Sequence, residues 1–135
     1  MPDSTLDQIA PYSYIIAVFI IKRKKKKMLT AIRNFFGMGA KTDFSKLVNE
    51  GAIIIDVRSK YEFTSGHVTG AINVPLDQLS DYAQKWKDKN KPMITCCASG
   101  MRSASAKSLL LSKGFSNVFN GGGWYGLQRK LSAAI

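Results

Sequence analysis

Apolar, β-branched runs alternate with stretches of helical periodicity along residues 43–131. The runs are typical of strands buried on both faces of a sheet, and the stretches between them place apolar side chains on one helix face. Strands are predicted at 52–57, 71–74, 93–96 and 117–119. Because strands and helices alternate, the pattern predicts an α/β fold with a central parallel β-sheet flanked by helices on both faces. A functional site is expected at the carboxyl ends of the strands.

Capping residues and glycines mark the ends of the predicted helices. The first helix is capped by Thr42 or Asp43 and ended by Gly51. Ser59, followed by Glu62 three positions later, is a capping-box pattern that predicts a helix over 59–65. Further helices are predicted at 76–86, 101–113 and 124–131, and a glycine turn at 121–123.

Residues 1–42 depart from this pattern and are predicted to form an N-terminal extension, followed by one compact domain at 43–135. The extension contains an apolar run at 9–21 and a basic run at 22–27. About 13 residues of helix span about 20 Å, which is short against a hydrocarbon core of about 30 Å. The basic run follows the apolar run, the reverse of a secretory signal. We therefore expect a cytoplasmic location, with attachment to the cytoplasmic face of a membrane as the alternative.

Met28 gives the extension a second interpretation, because it can be the true start, with residues 1–27 as upstream sequence. A short amphipathic helix is predicted to begin there. We expect this helix to pack on the domain surface. The alternative is peripheral membrane contact through residues 9–36.

The chain of 135 residues has a net charge of +11, and six of its 20 basic residues lie in the run at 22–27. Residues 28–135 retain 14 basic and 7 acidic residues, a balance that favours small anionic substrates. Nucleic acid is not an expected partner, since the sequence has no helix-turn-helix, zinc-finger or aromatic-interleaved basic motif. The two adjacent cysteines suit neither a disulfide framework nor a metal site, so we expect reduced thiols. The chain is expected to be a monomer.

The strand predicted at 93–96 leads directly into Cys97, a turn of small residues and the start of a helix. A helix N-terminus and a nearby arginine can lower a thiol pKa by one to several units from about 8.5, which makes the sulfur nucleophilic at neutral pH. Cys97 is therefore the predicted catalytic nucleophile. The side chain of Cys96 alternates away from it and is expected to be a core residue, with a resolving thiol as the alternative.

Three segments resemble the rhodanese (thiosulfate sulfurtransferase) family in order and spacing. Residues 97–103 are similar to its catalytic loop, residues 55–75 to its upstream signature, and residues 121–124 to its closing motif. The resemblance covers residues 43–131 and implies a rhodanese-like fold. It also implies that Cys97 takes the outer sulfur of thiosulfate or a related donor as a persulfide. The persulfide then passes this sulfur to a thiophilic acceptor, such as cyanide or a thiol, without a cofactor or metal.

The resemblance and the positions of individual residues together suggest roles around Cys97. Loop amides would stabilise the anionic sulfur, and the guanidinium of Arg102 would hold the donor. The expected substrate-binding residues are Ala98, Ser99, Gly100, Met101, Arg102 and Ser103. Asp56 is expected to order the neighbouring loop, Arg58 to form an ion pair with Glu62, and Trp124 to form a pocket wall. His67, the only histidine, is interpreted as structural.

Three other functional classes are alternatives to sulfur transfer. A phosphatase or arsenate reductase also uses a cysteine, a loop and an arginine, but the related phosphatases have a loop one residue longer than the six residues from Cys97 to Arg102. A catalytically silent binding module would be expected to lack Cys97. The main alternative is a persulfide carrier tethered to a membrane or a partner protein.

Overall fold

The computed structural model describes residues 17, 18, 20–22 and 41–134. The chain divides into two units, Met1–Thr42 and Asp43–Ile135. Residues 17, 18 and 20–22 are helical, and no helix in the described part of the chain is long and apolar enough to cross a membrane. The amphipathic helix predicted from Met28 and most of the apolar and basic runs lie outside the described residues.

Residues 41–134 form a four-stranded, fully parallel sheet with the strand order β2-β1-β3-β4. The strands are β1 (Ile53–Asp56), β2 (Ile72–Asn73), β3 (Met93–Cys97) and β4 (Val118–Gly123). The helices are α1 (Phe44–Asn49), α2 (Lys60–Thr64), α3 (Leu79–Lys85), α4 (Met101–Ser112) and α5 (Trp124–Ser132). A 3-10 turn, Leu76–Gln78, precedes α3. The predicted α/β class and parallel sheet are confirmed.

Alternation along β3 divides the core between the two faces of the sheet. Met93 and Cys97 pack into the cluster that contains Leu79 of α3 and Leu110 of α4. The neighbouring strand residues Ile94 and Cys96 pack into a second cluster, with Phe44 of α1 and Leu127 of α5. Because successive strand side chains point to opposite faces, one strand serves both layers of helices.

Two helix starts follow the predicted capping chemistry. The Asp43 carboxylate accepts the backbone N–H of Lys46 at 3.0 Å, so Asp43 is the cap of α1. The Ser59 hydroxyl accepts the Glu62 backbone N–H, and the Glu62 carboxylate accepts the Ser59 backbone N–H, which completes the capping box of α2. These side chains satisfy N–H groups that the first turn of a helix leaves unpaired.

The end of β4 differs from the prediction, because the strand continues to Gly123 instead of giving way to a glycine turn. Thr95 pairs with Asn120, whereas Cys96 pairs with Gly122, so Gly121 is an extra residue in β4. A Cβ at Gly121 would lie 2.8 Å from Leu127 Cδ2 and 3.0 Å from the Thr95 carbonyl oxygen. The bulge therefore requires a residue without a side chain at the edge of the site.

Candidate active site

Cys97 is the last residue of β3 and is fully buried. It lies at the carboxyl end of the sheet, and the chain turns there to begin α4 at Met101. Its sulfur accepts the backbone N–H of Gly100 at 2.9 Å. Gly100 has φ +103, a left-handed conformation that suits glycine, and a Cβ there would lie 3.3 Å from Gly122 Cα. The tight loop thus brings backbone N–H groups toward the sulfur.

Opposing effects act on the Cys97 thiol. Burial raises its pKa, but hydrogen bonds from the Ser103 side chain and from the backbone N–H groups of Ser103, Gly100 and Ser99 outweigh burial. The net pKa is lower than the usual cysteine value. Hydrogen-bond donors that converge on a sulfur favour its charged form, so this site stabilises the thiolate of Cys97 more than water stabilises that of an ordinary cysteine.

Asn120 is a residue of the site that the sequence did not single out. Its side-chain oxygen lies 2.7 Å from the Ser103 hydroxyl and accepts the backbone N–H of Gly122 at 2.9 Å. Its amide group also donates to the Gly100 carbonyl at 3.3 Å. Asn120 therefore ties the end of β4 to the Cys97 loop. No local motif marks Asn120, because two of its partners, Ser103 and Gly100, lie outside β4.

Cys96 points to the opposite face of the sheet and is also fully buried. Burial, together with the negative charge of Asp56, raises the pKa of its thiol to about 12. Both cysteines are free thiols. A neutral, enclosed thiol is a poor nucleophile, so the two neighbouring cysteines have opposite chemical character.

The predicted ion pair between Arg58 and Glu62 is wrong. Arg58 pairs with Asp56 instead, with 2.7 Å between Nη2 and Oδ2, and both side chains are buried. Arg58 also donates to the Gly66 carbonyl at 2.6 Å, and its guanidinium carbon lies 4.9 Å from the centroid of the Trp124 ring. Arg58 precedes the α2 cap and is not helical, so the four-residue spacing to Glu62 does not bring the two side chains together.

Asp56 orders the segment after β1, as expected, since its Oδ1 accepts the backbone N–H of Arg58 at 3.0 Å. The Trp124 ring lies directly against Gly66, so close that a Cβ at Gly66 would be 2.9 Å from the ring. His67 stacks on Phe63 at 3.8 Å between ring centroids, and its Nδ1 lies 2.8 Å from the Phe63 carbonyl oxygen. These contacts place Trp124 beside the Asp56–Arg58 pair and His67 against α2.

Arg102, predicted to hold the donor, is held by Glu62. Its Nη1 and Nη2 donate to the two carboxylate oxygens at 2.9 and 2.8 Å. The Arg102 side chain is 40% exposed. The Glu62 hydrogen bonds raise the pKa of Arg102, and the same contacts, with those from Ser59, lower the pKa of Glu62 to about 2. Both groups are charged at neutral pH.

The other loop residues lie at the surface around the buried sulfur. Ala98, Ser99 and Met101 are exposed, and Gly100 is half-buried. A Cβ at Gly123 would lie 2.9 Å from the Ala98 carbonyl oxygen, so the loop packs directly on the end of β4. In the part of the chain that the structure describes, no group of His, Cys, Asp or Glu side chains has metal-binding geometry.

Comparisons with known proteins agree on one family. The sequence pattern of the Rhodanese-like domain matches residues 40–130. Thiosulfate sulfurtransferase GlpE of Pseudomonas fluorescens (strain SBW25) is 35% identical over 83 residues, which are 62% of this chain and 75% of the relative. GlpE of Pseudomonas entomophila (strain L48) is 34% identical over 80 residues, 59% of this chain and 72% of the relative.

Solved structures give the same result. A rhodanese with anions from E. coli is 35% identical, has a TM-score of 0.53, and matches over 56% of this chain and 91% of its own. The human single-domain sulfurtransferase TSTD1 is 25% identical, has a TM-score of 0.56, and matches over 64% of this chain and 88% of its own. With the family pattern spanning the whole described sheet, the chain belongs to the rhodanese-like domain family and is a sulfurtransferase.

Proposed function

We propose that this sulfurtransferase takes the outer sulfur of thiosulfate onto Cys97 as a persulfide and passes it to a thiophilic acceptor such as cyanide or a cellular thiol. The observation that carries the proposal is the convergence of loop N–H groups and the Ser103 hydroxyl on the Cys97 sulfur, which lowers its pKa. The GlpE relatives, named as thiosulfate sulfurtransferases, support thiosulfate as the donor.

The reaction has two balanced displacement steps at sulfur. In the first, the Cys97 thiolate attacks the outer sulfur of thiosulfate, the S–S bond of the donor breaks, and sulfite leaves with its electron pair. In the second, cyanide attacks the terminal sulfur of the persulfide, the S–S bond of the persulfide breaks, the Cys97 sulfur keeps the electron pair as a thiolate, and thiocyanate is released. Neither step requires a net oxidant or reductant.

The loop contributes electrostatic stabilisation in both steps. N–H groups that stabilise the thiolate through short hydrogen bonds also suit the anionic persulfide, whose charge lies one bond farther out. These groups are held by β3, by the left-handed Gly100 and by the first turn of α4. Because the donors are fixed before substrate arrives, little reorganisation accompanies the movement of charge.

A persulfide carrier that serves another protein remains the second candidate. The observation that favours it is the Glu62–Arg102 ion pair, which reduces the attraction of the loop for a small dianion. Free, buried thiols suit a reducing compartment, so we keep a cytoplasmic location as part of the proposal. Membrane attachment through the extension stays an alternative.

Mass spectrometry after thiosulfate treatment tests the proposal. One added sulfur is expected on the peptide that contains Cys97, and cyanide should remove it as thiocyanate. Cys97→Ser is expected to abolish both signals, whereas Cys96→Ser should retain most activity and serves as the matched control. Thiocyanate formation by Cys97→Ser at the wild-type rate contradicts the assignment. Persulfide formation with negligible thiocyanate turnover favours the carrier.

A further inference from the structure

Glu62 reaches from α2 to the first turn of α4 and neutralises a cation beside the catalytic loop. Its two carboxylate oxygens accept from the two Nη atoms of Arg102 at 2.8 and 2.9 Å. One of these oxygens also accepts the backbone N–H and the hydroxyl of Ser59, at 3.0 and 2.9 Å. The capping box thus fixes the carboxylate in place before it meets Arg102.

The second arginine near the loop is neutralised in the same way. Arg58 is buried and its guanidinium pairs with Asp56. Arg102 is the only basic residue of the loop at 97–103. Arg58 and Arg102 are therefore each paired with a carboxylate.

Arg102 keeps binding capacity despite this pair. A guanidinium has five N–H donors, and Glu62 occupies one on each Nη atom, which leaves three for a ligand. The side chain is 40% exposed, and the next residue, Ser103, contacts the Cys97 sulfur. An anion at the loop therefore meets a cation whose charge is already compensated.

We propose that Glu62 is a specificity-determining residue that competes with anionic donors for Arg102 and so disfavours dianions relative to monoanions. The inference rests on the proposed function and concerns which sulfur donors the same site accepts. A carboxylate beside the loop repels a charge of −2 about twice as strongly as a charge of −1. The preferred donors are then sulfane compounds of low charge, with thiosulfate at a disadvantage that Glu62 sets.

A pair of donors that differ in charge tests this. Thiosulfate releases sulfite, and methanethiosulfonate, a monoanion, releases methanesulfinate, while both transfer their outer sulfur to the Cys97 thiolate. Glu62→Gln removes the charge but retains a residue that suits the capping box. Glu50→Gln is the matched control, because Glu50 is exposed, pairs with Lys46 at 3.9 Å, and has no contact with the loop.

Glu62→Gln is expected to lower KM for thiosulfate about three- to tenfold, to lower KM for methanethiosulfonate less, and to change kcat little. Added salt should reduce this difference, since it screens exposed charges. Glu50→Gln should leave both KM values unchanged. A higher thiosulfate KM in Glu62→Gln, or an equal change for both donors, overturns the proposal and makes Glu62 a purely structural support.

A binding readout separates this inference from the proposed function. Sulfate and methanesulfonate, which cannot donate sulfur, should protect Cys97 from iodoacetamide alkylation. Sulfate should protect Glu62→Gln at a lower concentration than wild type, and methanesulfonate should show a smaller change. Absence of thiocyanate in every assay would count against the function alone. Identical sulfate protection in wild type and Glu62→Gln would count against the inference alone.

Discussion

The hydroxyl oxygen of Ser103 lies 3.5 Å from the sulfur of Cys97. The neutral thiol can donate to this oxygen, and the hydroxyl proton is then free to engage Asn120 at 2.7 Å. Once Cys97 is a thiolate, the hydroxyl can donate to the sulfur instead. Ser103 thus has a partner in each protonation state, and the interaction with the charged state contributes to the lowered pKa of Cys97.

Ser103→Ala is expected to raise the pKa of Cys97, because it removes a hydrogen bond to the thiolate. A lost hydrogen bond to a charged group costs about 1.5 kcal/mol or more, so iodoacetamide alkylation at pH 7 should slow about 10-fold. Sulfur-transfer activity rises with pH as the thiolate forms, and in Ser103→Ala this rise should move to higher pH. Ser105→Ala, an exposed hydroxyl on the same helix, is the control. An unchanged pH profile contradicts a role for Ser103.

Arg102→Ala is expected to raise KM for thiosulfate more than it lowers kcat, since a cation at the site binds the dianion in ground and transition states alike. The loss should be about 1.5 to 3 kcal/mol, or roughly 10- to 150-fold in kcat/KM. Removing the guanidinium also leaves Glu62 uncompensated, so Glu62→Gln in the same chain should restore part of the loss.

The salt dependence of thiosulfate binding is a second test of the role of Arg102. Rising ionic strength should weaken thiosulfate binding by wild type and affect Arg102→Ala less. Arg129→Ala, which removes an exposed cation from α5, should resemble wild type. If kcat/KM of Arg102→Ala equals that of wild type, Arg102 has no part in donor binding.

Asp56→Asn is expected to destabilise the fold strongly, because it leaves the buried Arg58 without a counter-charge. Breaking a buried ion pair by removing one partner costs about 3 to 5 kcal/mol. Urea denaturation should show this loss in the free energy of unfolding, whereas Asp81→Asn, at an exposed position of α3, should change it little. A loss below about 1 kcal/mol would mean that other contacts hold this segment.

Residues 1–27 are expected to be dispensable for folding and sulfur transfer, since the family match begins at residue 40. A chain that starts at Met28 should have wild-type thiocyanate activity and a similar melting temperature. Its affinity for anionic vesicles should fall, because cations near such a surface contribute about 1 kcal/mol each. Cosedimentation of both chains with anionic and neutral vesicles measures this. Equal sedimentation removes the membrane hypothesis, and unfolding of the shorter chain refutes the prediction.

The sequence predicted the sheet and the caps well, because these depend on local patterns such as the β-branched residues of β1 and the Ser59–Glu62 capping box. The sequence did not predict contacts between residues that lie far apart along the chain. The Glu62–Arg102 pair joins positions 40 apart, and Asn120 meets Ser103 across the sheet edge. The extension of β4 through Gly121–Gly123 was missed because glycine disfavours strands, and the segment is held there by pairing with β3, a contact that the local sequence does not reveal.

The opposed orientations of Cys96 and Cys97 have a consequence for the fate of the transferred sulfur. The two residues are adjacent in sequence, but the sheet itself separates their side chains, and each is packed into a different core. A neighbouring thiolate within reach of a Cys97 persulfide would attack the Cys97 sulfur itself, break its bond to the outer sulfur, release that sulfur as hydrogen sulfide and close a disulfide. Because Cys96 lies on the other face of the sheet, that route is closed, and a sulfur carried on Cys97 as proposed would require an external acceptor. The sheet thereby keeps the Cys96 thiol away from any sulfur bound to Cys97.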